Sequence, residues 1–167
     1  MAERAGLSRG VLNHHFASKE DLVVHSVEEL LHSYTEEIRA LAAEVRDGRL
    51  SFDGFLDRLW EMFSGRLFLI TLEHITEARH NDALRQSMVP VVREFHAALD
   101  ETWRNFFGRS HLSDGEIETA LSATLCLLRG MGVQTVLRDD PAYHARLLTW
   151  WKGQLALLVR LRDGRPD

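Results

Sequence analysis

The chain has 167 residues, of which 45% are hydrophobic and 27% are charged, and its formal net charge is −5. This length suits one compact domain with a small appendage, and the ordinary composition excludes the disordered and fibrous classes. The negative charge excludes a protein whose whole surface coats nucleic acid, because such surfaces are strongly basic. No apolar stretch approaches the roughly 20 residues that a membrane span needs, so we expect a cytoplasmic protein without membrane contact.

The sequence pattern at the start of the chain is typical of a helix-turn-helix motif. Residues 2–16 contain a helix end, a turn at Gly6, a cap at Ser8 and a short second helix. Gly6 can adopt the left-handed backbone conformation of a tight turn, and Ser8 can accept hydrogen bonds from the free amides of the next helix. Arg9 and Gly10 begin that helix, where the missing side chain of Gly10 allows close approach to a base or a phosphate. Any DNA contact is therefore expected here.

From Ala5 to Leu22 the sequence resembles the TetR family of repressors, whose pattern reads Ala-Gly-x-Ser-x-Gly-x-Leu-Tyr-x-His-Phe-x-Ser-Lys-Glu-x-Leu. The positions that carry the match are Ser8, Gly10, Leu12, His15, Phe16, Ser18, Lys19, Glu20 and Leu22. The resemblance implies an all-α fold in which a helix-turn-helix head precedes a larger helical domain for effector binding and dimerisation.

The same resemblance implies a role for each residue of the motif. One group would face base edges or their surroundings, namely Arg9, Gly10, Val11 and His14. A second group would approach phosphates, namely His15 and Lys19. Asn13 stands where the family usually has a tyrosine that touches the DNA backbone, so that contact must be shorter or must be replaced by an amide hydrogen bond.

The family's first helix and most of its second would precede Met1, which stands where the pattern has an apolar residue of the second helix. Without those helices, Leu7, Leu12 and Phe16 have little apolar surface to pack against. We therefore expect that the chain as written binds operator DNA weakly or not at all.

A long amphipathic helix follows the motif. Apolar residues recur at spacings of three and four after an N-cap at Ser18, and Asp47 with Gly48 supplies the stop, so the helix is predicted over residues 19–46. No flexible linker interrupts it, and we expect it to join two parts of the protein. These are a partial helix-turn-helix head with its connecting helix, residues 1–46, and an effector-binding and dimerisation domain, residues 47–167.

Further helices are predicted over residues 52–63, from there to residue 79, from a cap at Asn81 to residue 106, over 114–138 and over 141–162. Pro90 removes one hydrogen bond inside the fourth of the chain's long helical segments, where we expect a kink. Ser113 and Asp140 are the expected caps of the last two helices, with Pro141 at a favoured first position. No alternating strand pattern competes, so the fold class is all-α.

The middle helices are rich in aromatic residues and methionine, which suits the lining of an apolar cavity. The candidate ligand-binding residues are Trp60, Phe63, His74, Met88, Phe95 and Trp103. His74 shares a face with Leu67 and Ile70, so it could orient a polar group of a ligand. Two alternatives remain open: an aromatic stripe can be plain core packing, and His74 can be a core histidine paired with a backbone group.

The last two helices are predicted to pair with their copies in a second subunit. Small residues such as Ala120 and Gly132 lie among large apolar ones and allow close packing, and a monomer of this size could hardly bury both helices on every side. We expect an isologous homodimer, with a monomeric core as the alternative. Cys126 lies in an apolar run, which predicts a buried and inert thiol.

Metal binding and catalysis are not expected. Two trios have ligand-like spacing on a helix, namely His25, Glu29 and His32, and Glu73, Glu77 and His80. Both trios lie opposite the apolar stripe of their helix, where solvated side chains belong, so no metal and no cofactor are expected. No nucleophile, base and orienting group stand at a suggestive spacing, which argues against an enzyme.

These patterns favour a ligand-responsive transcriptional regulator that reads a palindromic operator as a dimer, and the family resemblance implies that the regulator is a repressor. A small apolar effector would enter the body, shift the long helix and change the separation of the two heads. The alternative is a helical small-molecule-binding dimer that lacks a functional DNA head.

Overall fold

The computed structural model describes residues 19–107 and 110–160, and within these ranges the chain is helical and contains no strand. The helices in chain order are α1 (Lys19–Arg46), α2 (Phe52–Ser64), α3 (Arg66–Glu77), α4 (Asp82–Phe107), α5 (Asp114–Gln134) and α6 (Pro141–Arg160). The predicted all-α class is confirmed. None of the helices in this part of the chain is both long enough and apolar enough to cross a membrane.

The long first helix has the predicted bounds. It runs without interruption for 28 residues, from Lys19 to Arg46. Gly48 follows with a φ of 73°, a backbone conformation that costs glycine little and most other residues much more. The chain can therefore reverse there and enter α2.

Side chains cap the later helices by accepting hydrogen bonds from backbone amides of the first turn. Asn81 caps α4 and Asp140 caps α6, with distances of 3.0 and 2.9 Å, as the sequence predicts. Ser51, which the sequence analysis did not single out, caps α2 at 3.0 Å. At α5, the predicted cap Ser113 donates its own amide to the carboxylate of Glu116 at 2.9 Å.

The ends of α4 and α5 compare differently with the sequence prediction. Pro90 lies inside α4, and the helix continues past it to Phe107, one residue beyond its predicted end. The fifth helix ends at Gln134, earlier than the predicted end at residue 138. Thr135 donates its hydroxyl to the carbonyl of Gly132 at 2.8 Å, and β-branched residues at this point have low helix propensity.

The main core lies between α2, the second half of α4, and α5. Trp103 is fully buried, and its ring centroid lies 5.3 Å from that of Phe52 and 5.4 Å from that of Phe107. Leu99 and Leu128 are fully buried in the same cluster. Gly132 of α5 lies so close to the corner between α2 and α3 that an added Cβ would contact the backbone there.

A second, smaller set of buried residues connects α1 to the end of α3 and the start of α4. We call it the stalk cluster, and its members are Val27, Leu31, Ala78, Leu84 and Met88. It lies on the first half of α1, separate from the main core. The stalk cluster therefore holds the first half of α1, whereas Ile38 and Leu41 in its second half belong to the main core.

The last helix, α6, is attached along one side only. Leu148 and Leu155 are buried, the indole of Trp151 donates to the hydroxyl of Thr124 at 2.9 Å, and Lys152 bonds to Asp57 of α2 at 2.6 Å. The other side of α6 remains uncovered in the single chain.

The prediction that Cys126 is buried is wrong. Its apolar sequence neighbours suggest burial, but the residue is exposed in the single chain. Leu125 and Leu128 on either side of it are buried, because successive residues of a helix point in different directions. The apolar run thus spans both the inner and the outer face of α5.

Candidate functional site

The residues that the helix-turn-helix resemblance assigns to DNA lie almost entirely outside the described residues. This applies to Arg9, Gly10, Val11, Asn13, His14 and His15. Lys19 is the first residue of α1, and its side chain is not among those described. The assignment of these residues to DNA contact stays a prediction.

A cavity of about 860 Å³ opens between α1, α2, α3, α4 and α5. Its volume falls in the range of small-molecule sites, roughly 300–1,000 Å³. The lining residues are Leu31, Tyr34, Met62, Phe63, Phe68, Thr71, Leu72, Ile75, Ala78, Arg79, Arg85, Met88, Val89, Val92, Arg93, Phe95, His96, Arg129, Gly130 and Val133. Most of these side chains are apolar, so the cavity suits a ligand with an apolar body.

The charged groups of the lining all have the same sign. Four arginines contribute to it, namely Arg79, Arg85, Arg93 and Arg129, and no aspartate or glutamate is among the described lining residues. Arg85 is paired with Asp82 outside the cavity at 2.8 Å. The cavity is therefore electropositive although the whole chain has a formal net charge of −5.

Arg129 is the most enclosed of these arginines. Its guanidinium donates a hydrogen bond of 2.8 Å to Nε2 of His96 and lies 5.8 Å from the ring centroid of Phe63. Burial lowers the pKa of Arg129 from its ordinary value, with a smaller opposing effect from Cys126. Across the described ranges, no carboxylate forms an ion pair with it. A positive charge thus stands partly desolvated in an apolar wall.

The hydrogen bond from Arg129 also defines the protonation state of His96, because only a neutral imidazole can accept a hydrogen bond at Nε2. Burial, and then the charge of Arg129, lower the pKa of His96 from its ordinary value of 6.5. As the pH falls through that value, the unfolded chain takes up a proton before the folded chain does, so stability is lost.

We therefore expect the melting temperature to fall less in the His96→Asn variant than in the wild type between about pH 7.5 and about pH 5.5. Asparagine can accept the same bond from Arg129 but does not titrate in this range. Thermal unfolding followed by circular dichroism compares the two proteins. Identical pH dependence would show that His96 contributes nothing to it.

The six predicted ligand-binding residues divide into two groups. Phe63, Met88 and Phe95 line the cavity. Trp60, His74 and Trp103 do not, because each packs or pairs elsewhere. The ring of Trp60 lies 5.4 Å from that of His144, and Trp103 fills the main core. His74 is half-buried, and its Nδ1 lies 2.6 Å from the carbonyl oxygen of Ile70, one helical turn earlier.

The residues that sequence reasoning missed are the polar ones, above all Arg129 and His96. A signal for Arg129 was present: it interrupts an apolar stretch of α5, between Leu128 and Met131, where a solvated charge is not expected. No comparable signal in the sequence identifies His96, because the nearby Glu94 is exposed. Its role depends on α5 passing beside α4.

The two trios with metal-like spacing lie on the surface side of their helices. His25 approaches Glu29 at 3.4 Å and Glu28 at 3.9 Å, as expected for exposed charges one turn apart. Glu77 and His80 are exposed near the end of α3. In residues 19–107 and 110–160, no three potential metal ligands are grouped as a metal site requires.

A second feature of interest is an apolar surface formed by α5, α6 and their connection. We call it the outer face, and its exposed members are Cys126, Val136, Leu137, Trp150 and Leu157. Trp150 and Leu157 are 57% and 48% exposed, and they lie two helical turns apart on the same side of α6. Large apolar side chains that are exposed on one side of a helix are typical of a surface that another protein covers.

Comparison with known proteins adds two findings. Residues 1–25 match the family described as "Bacterial regulatory proteins, tetR family". The chain is also similar to the HTH-type transcriptional regulator CymR of Pseudomonas putida, with 29% identity over 143 residues that cover 86% of this chain and 70% of CymR. No solved structure matches the chain significantly. The similarity to CymR extends far beyond the N-terminal segment and includes most of the helical body.

Proposed function

We propose that the chain is a member of the tetR family of bacterial regulatory proteins and a ligand-controlled repressor, which binds a palindromic operator as a dimer. A small molecule in the cavity releases the operator. The proposal rests on three features: the N-terminal motif, the cavity and the outer face.

The observation that carries this proposal is the path of α1. The helix begins at Lys19, inside the segment that matches the family, and further along it contributes Leu31 and Tyr34 to the cavity wall. Twelve residues of helix between Lys19 and Leu31 span about 18 Å at 1.5 Å per residue. A ligand that contacts Leu31 therefore acts on the same helix that continues into the DNA-reading motif.

The stalk cluster supplies a mechanism for this coupling. Leu31 and Met88 belong both to that cluster and to the lining of the cavity. A ligand that displaces Met88 changes how α4 holds α1, and this changes the angle of the motif. Release of DNA requires that the ligand bind one position of α1 more tightly than the other.

The outer face supports the dimeric part of the proposal. Burying it against its own copy would cover the exposed side chains of Trp150 and Leu157 in an isologous interface. Two motifs held about 34 Å apart can enter successive major grooves on one side of DNA, which is why such dimers read palindromes.

The direct test is selection of DNA sites from a random library with purified protein in which the family's first two helices are supplied ahead of Met1, because the chain as written is expected to bind operator DNA weakly or not at all. We expect enrichment of two inverted half-sites, and we expect a promoter that carries the selected site to be silenced when the protein is produced. Arg9→Ala should weaken binding by about 1–3 kcal/mol, or about 5- to 160-fold, whereas Arg49→Ala, a surface change after α1, should leave affinity unchanged.

Enrichment of no site would contradict the DNA-reading function and favour the alternative of a ligand-binding dimer without a working head. An activated promoter in place of a silenced one would contradict the repressor role while leaving operator recognition intact. Fluorescence anisotropy with labelled DNA provides the affinities for both variants.

A further inference from the structure

The charge of Arg129 has no partner that balances it. Its guanidinium carries five N–H donors, and His96 accepts one of them. Among the described residues, no carboxylate pairs with it, and the cavity lining contains none. A partly buried cation of this kind raises the free energy of the empty site unless water or a ligand supplies the missing acceptors.

The remaining lining restricts what that acceptor can be attached to. Phe63, Phe68, Phe95 and Met62 provide an apolar wall near Arg129, and the rim adds further positive charge through Arg79 and Arg93. The rim arginines are exposed and form no ion pair with a carboxylate in the described ranges, so they would attract an anion from solution. The same surroundings disfavour a cation.

We propose that the cavity binds a monocarboxylate with an apolar body, whose carboxylate pairs with the guanidinium of Arg129. This inference rests on the proposed ligand-controlled function and specifies its ligand class. The planar guanidinium can donate two parallel hydrogen bonds to one carboxylate, the geometry in which arginine is most selective. Bound there, the carboxylate neutralises Arg129 and the apolar body fills the space between α1 and α4.

Matched probe pairs test the role of the charge. Naphthalene-2-carboxylate is compared with naphthalene-2-carboxamide, and octanoate with octanamide, by isothermal titration calorimetry of the full chain at about pH 7.5. Each pair keeps the apolar body and changes only the charge, while the two pairs distinguish a ring body from a chain body. We expect at least one acid to bind at least about tenfold more tightly than its amide.

Substitution of Arg129 tests the position of the charge. In Arg129→Gln, the affinity for the acid should fall at least about tenfold while the affinity for the amide changes by less than about twofold. Arg58→Gln is the matched control, because Arg58 is an exposed arginine of α2 that is paired with Glu61 at 2.6 Å and lies outside the cavity lining; it should retain the preference for the acid. Arg129→Lys keeps the positive charge but lacks the planar guanidinium, so it should retain part of the preference for the acid. This variant distinguishes loss of the charge from misfolding of the glutamine variant.

Several results would overturn the inference: amides that bind as tightly as acids, an acid preference that survives in Arg129→Gln, or no binding of any of the four compounds. These results are distinct from a failure of the proposed function. If the amides bind as tightly as the acids, or if a DNA site is selected without any probe binding, the inferred ligand class fails while a regulator with another ligand class stands. If the acids bind as expected and no DNA site is selected, the ligand class stands and the DNA-reading function fails.

Discussion

The Leu157→Glu variant is expected to be a monomer at micromolar concentration, whereas the wild-type chain is expected to be a dimer. Leu157 is 48% exposed on the outer face, two helical turns from Trp150, and it would be covered by the second subunit. In an isologous interface the substitution appears twice, so two carboxylates must be buried without partners. We expect the dissociation constant of the dimer to rise at least about 100-fold. Light scattering coupled to size-exclusion chromatography measures the mass directly.

The control for this experiment adds the same charge elsewhere. Ala97 is an exposed helical residue of α4, outside the outer face, and Ala97→Glu should remain dimeric. The monomeric variant should also lose affinity for a two-half-site operator, because each head then binds alone. A wild-type chain that is already monomeric would contradict the proposed interface, as would a Leu157→Glu variant that stays dimeric.

The Gly132→Ala variant is expected to be strongly destabilised. A Cβ at this position would collide with the backbone carbonyl of Phe63 and would lie 2.8 Å from Cε1 of Phe68. A backbone group cannot rotate away as a flexible side chain can, so the corner between α2 and α3 must shift. We expect the free energy of unfolding to fall by about 3 kcal/mol, at the upper end for overpacking. Urea denaturation followed by circular dichroism measures this change.

Gly130 provides a matched control two residues earlier in α5, because a Cβ added there meets no atom within 4 Å. Gly130→Ala should be neutral or should stabilise the protein by up to about 1 kcal/mol, since alanine loses less conformational freedom than glycine in a helix. Equal stabilities of the two alanine variants would contradict the close approach of α5 to the corner between α2 and α3.

The sequence predicts the helices well where local chemistry determines them. The bounds of α1 follow from its apolar period and from Gly48, and the starts of α4 and α6 follow from Asn81 and Asp140. Capping depends on residues a few positions apart, so it can be recognised without knowledge of the tertiary structure. The end of α5 was harder to predict, because Thr135 pairs with Gly132 and the helix stops before residue 138.

The cavity could be predicted only in part, because helical periodicity identifies an inward face but does not show what that face meets. Phe95 and Trp103 belong to the same face of α4, yet Phe95 lines the cavity and Trp103 fills the main core. For Cys126 the sequence predicted burial because of its apolar neighbours, but the residue is exposed, since this side of α5 faces away from the core. Which residues face a cavity is decided by how helices cross, and the crossing depends on contacts distant in sequence.

The polar part of the site depends on the same long-range arrangement. His96 and Arg129 are 33 residues apart in the chain and meet at 2.8 Å because α4 and α5 pack together. Neither residue has a sequence neighbour that would suggest the other as a partner. Sequence reasoning therefore favoured an apolar effector, whereas the electropositive lining supports a ligand that also carries a negative charge.

The double membership of Leu31 and Met88, in the stalk cluster and in the cavity wall, affects how such a regulator can evolve. Under the proposed coupling, a substitution at either position would alter both the fit of the ligand and the angle of the DNA-binding motif, so most changes there are expected to lock the protein on or off its promoter. Leu72 and Ile75 line the cavity without belonging to the stalk cluster. New inducer specificities should therefore arise more readily by mutation of α3 than of the walls shared with the stalk cluster.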